Sequence, residues 1–185
     1  MRAFVAVFPP PEVQAALATR AIETSRSLAG AHPDGAVQWT RPENVHLTLK
    51  FLGEVREEVL EDLCAVLEEV CAKHVPFDAD LAGLGAFPSA RRARILWAGI
   101  GTGSDRLRSL AVDLDAALAP LGFEREARAY MPHLTLGRVR GRPVSFDLPP
   151  AARGDLGFRV RRVELTESTL SAKGAVYRTI RAFAL

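Results

Sequence analysis

The tetrapeptide His46-Leu-Thr-Leu49 recurs as His133-Leu-Thr-Leu136, 87 positions later (133 − 46). Imidazole is the side chain whose ordinary pKa lies near neutrality, so a pair of histidines can take one proton and give another at pH 7. Successive side chains of an extended strand alternate between faces. His46 and Thr48 therefore share one face and Leu47 and Leu49 the other, and His133 and Thr135 repeat the arrangement. The leucines tie each strand to a core, while an imidazole and a hydroxyl are displayed together. Two such strands across a cleft suit an in-line displacement at phosphorus. A neutral His takes the proton of the attacking oxygen, a protonated His supplies the leaving oxygen, and the hydroxyls hold the non-bridging oxygens. Lys50 continues the first polar face, where the second copy has Gly137.

A metal site is the competing use of two histidines. Neither strand offers a carboxylate or Cys at ligand spacing, and threonine is a poor zinc ligand, so neither metal nor other cofactor is expected. Gly99 to Ser104 is glycine-rich but lacks the G-K-[ST] of a phosphate loop. His32, in a loop, and His74, at the end of an acidic helix, read as structural residues. Cys64 and Cys71 stand seven apart in a helical pattern, about 10 Å along its axis, too far for a disulfide, and read as core thiols.

The elements that must position these residues follow from periodicity and turn chemistry. Arg2 to Phe8 is a continuously apolar run halted by Pro9-Pro10-Pro11, as in a strand covered on both faces. A helix over Pro10 to Leu28 presents Val13, Ala16, Leu17, Ala21 and Leu28, and Gly30 to Gly35 forms a polar loop. Strands at Val37–Thr40 and Val45–Gly53 flank the Arg41-Pro-Glu-Asn44 turn. The clearest helix spans Glu54 to His74, with Leu60, Leu63, Cys64, Leu67, Val70 and Cys71 opposite an acidic face. Strands at Phe77–Phe87 and Arg92–Ile100 precede a helix capped by Ser104 and ended by Pro120 and Gly122. A strand at Met131–Val139, a Pro- and Gly-rich stretch over Gly141 to Gly154, and strands at Phe158–Leu170 and Ala175–Ala184 complete the chain. Each tetrapeptide thus follows a buried strand and an amphipathic helix, beginning at Arg2 and near Arg92, the pattern of an internal duplication within one domain over 1–185.

The composition is that of a globular protein: 185 residues, 48% hydrophobic and 25% charged. No apolar run approaches the ~20 residues of a membrane span, and the first ten residues lack the pattern of a signal peptide. A cytoplasmic monomer with no membrane partner is expected. The net charge of +2 hides an asymmetry, since residues 1–90 carry 7 Lys and Arg against 13 Asp and Glu, net −6, and residues 91–185 carry 17 against 9, net +8. The basic half, with Arg138, Arg140 and Arg142 beyond the second motif, could face RNA phosphates. Trp39 and Tyr130 could stack a base, with core packing the alternative for Trp39.

The doubled tetrapeptide resembles the paired HxTx signature of the 2H phosphoesterase superfamily, and the flanks resemble its bacterial RNA 2′,3′-cyclic phosphodiesterase branch, also called 2′-5′ RNA ligase. Those flanks are Arg2-Ala-Phe-Val-Ala-Val7, Trp39-Thr-Arg-Pro-Glu-Asn-Val45, Lys50-Phe-Leu-Gly53, Tyr130-Met-Pro132, Glu167-Ser-Thr-Leu170 and Gly174-Ala-Val-Tyr177, so the match spans essentially the whole chain. The resemblance implies an α+β, bilobal fold with two pseudo-twofold-related lobes, antiparallel sheets lining a central cleft and helices outside. It implies metal-independent hydrolysis of a terminal RNA 2′,3′-cyclic phosphate to a 2′-phosphomonoester, with reversible 2′-5′ ligation of tRNA halves as a second activity. Cyclic nucleotides are the small counterparts of that substrate. By position His46 is the proton donor, His133 the proton acceptor, and Thr48 and Thr135 bind phosphate; Lys50, Tyr130 and Arg138 are further substrate contacts. A cation at Lys50 would depress the pKa of His46 and so argues the other way on the donor. A noncatalytic RNA- or nucleotide-binding module using the same cleft is the alternative. The stretch Gly141 to Gly154 departs from the pattern, having no long helix to match Glu54 to His74.

Overall fold

The computed structural model describes residues 1–27, 37–146, 156–171 and 174–185. Among these, nine strands and three helices follow one another as β1 (Arg2–Val7), α1 (Pro11–Ser27), β2 (Val37–Trp39), β3 (Leu47–Glu54), α2 (Leu60–Cys71), β4 (Phe77–Phe87), β5 (Ile95–Ile100), α3 (Ser104–Leu118), β6 (His133–Val139), β7 (Gly157–Val160), β8 (Arg162–Ser171) and β9 (Gly174–Ala184). The fold is α+β and bilobal, as the resemblance implied. One lobe carries β3-β1-β8-β9 and the other β6-β5-β4-β7, all paired antiparallel, with β2 beside β6. The lobes join where β3 meets β6 at Leu47 and Leu134.

The two halves of the chain exchange strands. β4 follows β3 in sequence but pairs with β5 of the second lobe, and β8 follows β7 of the second lobe but pairs with β1 of the first. Each lobe is therefore built from both halves, so neither can close its sheet without the other. One face of the sheets is covered by the helices, through Val13, Leu17 and Ala21 of α1, Leu63, Cys64, Leu67, Val70 and Cys71 of α2, and Leu107, Leu110, Ala111, Leu114 and Leu118 of α3. Full burial of a leucine is worth about 1.5–3 kcal/mol, so these stripes hold helices whose own propensity is modest. Both cysteines are free and buried. No described helix is long and apolar enough to cross a membrane.

Several boundaries differ from the sequence pattern, each for a local reason. Glu54 ends β3 instead of opening a helix, because Val55 exchanges backbone hydrogen bonds with Met1 at 2.7 and 2.8 Å and stays extended; a 3₁₀ turn at Glu57–Val59 then leads into α2. Ser104 is the first residue of α3 and does not cap it. That place belongs to Gly103 at φ +81°, where a Cβ would come within 2.5 Å of the Asp78 carbonyl. The stretch from Phe158 to Leu170 is two strands, since the chain leaves β4 for β1 at Arg161. β3 begins at Leu47, β5 at Ile95 after a 3₁₀ turn over Ala90–Arg92, and β6 at His133. Leu28, the Gly30–Gly35 loop with His32, and residues 147–155 of the Pro- and Gly-rich stretch lie outside the described residues. Of that stretch, Val144 forms a bridge with Ala93.

Candidate active site

Antiparallel pairing at Leu47 and Leu134 sets His46 across from Thr135 and Thr48 across from His133. Directly opposed side chains on one face of such a pair have Cβ atoms about 4.5–5.5 Å apart. The two imidazoles and two hydroxyls therefore form a parallelogram around the strand crossing, while Leu47 and Leu134, fully buried, fasten its floor to the core. The short Pro42–Asn44 3₁₀ turn delivers the first strand, with Gln14 of α1 donating to the Val45 carbonyl at 2.9 Å.

The local setting of both rings is the same. Nδ1 of His46 lies 2.7 Å from the Asn44 carbonyl, and Nδ1 of His133 lies 2.7 Å from the Met131 carbonyl, in each case two residues back. A carbonyl only accepts, so Nδ1 carries the hydrogen, and in the neutral ring Nε2 keeps its lone pair. Both histidines thus present the same atom for proton transfer.

At the last residue of each tetrapeptide the strand carries an equivalent bulge, at Leu49 between the pairs Ala6–Thr48 and Val5–Lys50, and at Leu136 between Trp97–Thr135 and Leu96–Gly137. A bulge inserts one residue and so inverts the alternation that follows. Lys50 accordingly leaves the polar face on which simple alternation put it. It is 2% exposed, on the helix side, and donates to Asp115 of α3 at 2.6 Å and to the Glu124 carbonyl at 2.5 Å. Lys50 is thus a structural cation and not a substrate contact. Gly137 occupies the same position in the other copy because β2 covers that side; a Cβ there would come within 2.8 Å of Val37 and 3.0 Å of Trp39. Trp39 packs against the core. Tyr130 is likewise packed against the core, with its hydroxyl buried and without a hydrogen-bond partner, and burial pushes the phenol up. Arg138, by contrast, returns to the cleft side and is exposed, as are Arg140 and Arg142.

The two lobes differ in the aromatic walls around their histidines, which the sequence pattern did not single out. His46 lies 4.8 Å from Phe4, 5.3 Å from Phe8 and 5.2 Å from Tyr177, ring centre to ring centre. Asn44 holds β9 against this wall by donating to the Ala175 carbonyl at 2.9 Å. His133 lies 5.1 Å from Phe87 and 6.2 Å from Trp97, whose ring fills the space that Gly85 leaves bare. The Tyr177 segment was legible only through its place in the family pattern. The pKa of His46 is lowered to about 4, first by desolvation; its hydrogen bond to Asn44 opposes this, and the charges of Arg138 and His133 add to it. Replacing Arg138 by Gln removes one of the lowering charges, so the His46 pKa is expected to rise. A proton NMR titration of the imidazole checks this, and a fall would contradict it.

His74, read as structural, pairs with Asp113 at 3.0 Å. Among the described residues no three His, Cys, Asp or Glu side chains gather as metal ligands.

A family model described as LigT-like phosphoesterase matches residues 7–97 and 100–177. A Thermus thermophilus protein named RNA 2′,3′-cyclic phosphodiesterase is 37% identical over 191 aligned positions, covering 100% of this chain and 90% of its own. An Archaeoglobus fulgidus protein of the same name is 35% identical, with 99% of each chain covered. Among solved structures, that of a Thermus thermophilus protein superposes with a TM-score of 0.79 at 31% identity, covering 100% of this chain and 98% of that one. Escherichia coli LigT complexed with 3′-AMP superposes with a TM-score of 0.77 at 25% identity, covering 100% and 97%.

Proposed function

The chain belongs to the LigT-like phosphoesterase family, and from that membership we propose that it hydrolyses the 2′,3′-cyclic phosphate at RNA 3′ ends to a 2′-phosphomonoester. The observation that carries the reading is the pair of histidines at one strand crossing, each with Nδ1 bound to the carbonyl two residues back. On this reading neutral His133 takes a proton from water through Nε2, and protonated His46 gives its proton to the 3′ oxygen as the bond from that oxygen to phosphorus breaks. Thr48 and Thr135 donate hydrogen bonds to the non-bridging oxygens, whose charge grows in the transition state. No step requires a metal. With a 5′-hydroxyl in place of water, the same exchange joins two RNA ends through a 2′-5′ bond. The whole of 1–185 acts as one duplicated domain, since each lobe takes strands from both halves.

A donor whose pKa is about 4 when free is mostly unprotonated at neutral pH. The bound phosphodiester places a negative charge beside the ring and raises that value. His46 must be protonated to act, so its contribution falls as pH rises through its pKa, and this fall is expected at higher pH in kcat than in kcat/KM, which reports the free enzyme.

The test of the function is incubation with a nucleoside 2′,3′-cyclic phosphate in EDTA, followed by phosphorus NMR against authentic 2′- and 3′-monophosphates. Turnover to the 2′-phosphate is expected. Binding without turnover would favour the noncatalytic module, turnover that needs added metal would contradict the mechanism, and a 3′-phosphate would reverse the assigned donor.

A further inference from the structure

Two histidines with the same backbone setting have unequal surroundings, and the difference begins at the residue that holds each ring. Asn44 accepts from Nδ1 of His46 through its carbonyl at 2.7 Å, as Met131 accepts from Nδ1 of His133. The side chains of the two differ in kind. That of Asn44 donates through Nδ2 to the Ala175 carbonyl of β9 at 2.9 Å, whereas that of Met131 is a thioether with no N–H to give and is 49% exposed.

The Asn44 bond falls where β9 needs it. β8 pairs with β1 from Glu164 to Glu167, so Ser168 to Ser171 and their partners Gly174 to Tyr177 extend past that pairing as a two-stranded arm. A two-stranded hairpin has little stability of its own, and Leu170 and Val176 of this one are exposed. Its inner face lies against the first motif, where the Tyr177 ring stands 5.1 Å from Phe4 and, edge-on at 90°, 5.2 Å from His46. Asn44 is itself well held. Its backbone N–H donates to the Arg41 carbonyl at 2.9 Å, and the next residue, Val45, is tied to Pro42 within the 3₁₀ turn and to Gln14 of α1.

Phe4 and Phe8 reach His46 from β1 and from just after it, and β1 is fixed between β3 and β8. Tyr177 reaches it from β9, at the end of the sheet. We propose that Asn44 is a positioning residue for His46: its side chain clamps β9 so that Tyr177 walls that ring off from water, which makes two histidines of identical backbone setting unequal. The charges that act on His46 are those of Arg138 and His133, both on β6 of the other lobe. Burial pushes the Tyr177 phenol up, so it stays neutral near pH 7 and acts on the ring by excluding water. A donor kept dry in this way takes up its proton when the phosphodiester arrives beside it. That the clamp serves catalysis rests on the hydrolase reading above.

The test follows the His46 and His133 imidazole protons by NMR through a pH titration. Asn44→Ala keeps the carbonyl that holds Nδ1 and removes the clamp. The expected result is a His46 pKa raised from about 4 by roughly one unit or more, toward its ordinary 6.5, while the His133 signal titrates as in the wild type. On adenosine 2′,3′-cyclic phosphate the fall of kcat/KM with rising pH should move up with it. Tyr177→Ala is expected to raise the His46 value likewise, and Tyr177→Phe, which keeps the ring, to leave it near that of the wild type. Because the clamp acts through that ring, the double variant carrying Asn44→Ala and Tyr177→Ala should go no further than Tyr177→Ala alone. An unmoved His46 in either alanine variant would overturn the proposal, as would equal rises at both histidines, the mark of a general loosening, or additive rises in the double variant. The titration needs no turnover. A wild type that hydrolyses no cyclic phosphate would therefore remove the hydrolase reading and the catalytic use of the clamp, while the His46 titration still decides whether the clamp exists.

Discussion

Alanine at either His46 or His133 is expected to lower kcat on a nucleoside 2′,3′-cyclic phosphate by ~10²–10⁴-fold, the range of one lost acid or base. Both variants should remain folded, because the adjoining Leu47 and Leu134 hold the strands to the core and the rings sit on the cleft side. The two variants separate on a substrate whose 3′ oxygen is replaced by sulfur. Sulfur leaves as a thiolate and needs no proton, so His46→Ala should recover most of its deficit there, while His133→Ala, lacking the base, should not. Recovery by the His133 variant instead would exchange the two roles. If either variant kept most of its rate on the oxygen substrate, acid–base catalysis by that residue would be excluded. Valine at Thr48 or Thr135 should cost less, about 1–3 kcal/mol for a lost hydrogen bond to a charged group.

The second large effect is on stability. Lys50 is fully buried, and its partner Asp115 also accepts from the Glu126 backbone N–H at 3.0 Å and from Arg125 at 3.2 Å. The pair thus ties β3 and α3 to the segment leading toward the second histidine. Asp115→Ala would leave the ammonium with the Glu124 carbonyl and a carboxylate of Glu126 at 4.0 Å. The expected cost is about 3 kcal/mol, in line with buried pairs broken on one side, and a fall in Tm of roughly 6–12 °C for a chain of this size. A double change to Lys50→Met and Asp115→Leu should recover much of the loss, since no buried charge is then unpaired. Burial alone would raise the Asp115 carboxyl from its ordinary 3.8, but the hydrogen bonds from Lys50, Glu126 and Arg125 outweigh it and hold the group lower. A carboxylate depressed on folding stabilises above its unfolded pKa and loses that contribution as pH falls through the folded one. The wild type should therefore lose part of its stability below about pH 4, and Asp115→Asn should lack that part of the acid transition. Thermal melts from strongly acid to neutral pH measure both; a variant as stable as the wild type would show that the pair contributes nothing net.

The sequence carried the chemistry because that chemistry is local. A strand displays residues i and i+2 together whatever surrounds it, so His46 with Thr48 and His133 with Thr135 were legible from type and spacing alone, and the repeat tied the two pairs to one site. Helix stripes such as Leu63, Leu67 and Val70 were equally plain, because a period of 3.6 is a property of the segment itself.

What the sequence could not hold was anything that depends on a partner strand. The bulges at Leu49 and Leu136 exist only relative to β1 and β5, and they decided that Lys50 turns inward to Asp115 while Phe51 and Arg138 face the cleft. The change of sheet at Arg161 likewise depends on β4 and β1 lying in different lobes, a long-range fact with no signature in the run Phe158 to Leu170. The rings packed around His46 are Phe4, Phe8 and Tyr177, residues on two other segments. Alternation along one strand is fixed by covalent geometry; which face of it is buried, and where it slips a register, is fixed by the strands and helices packed beside it.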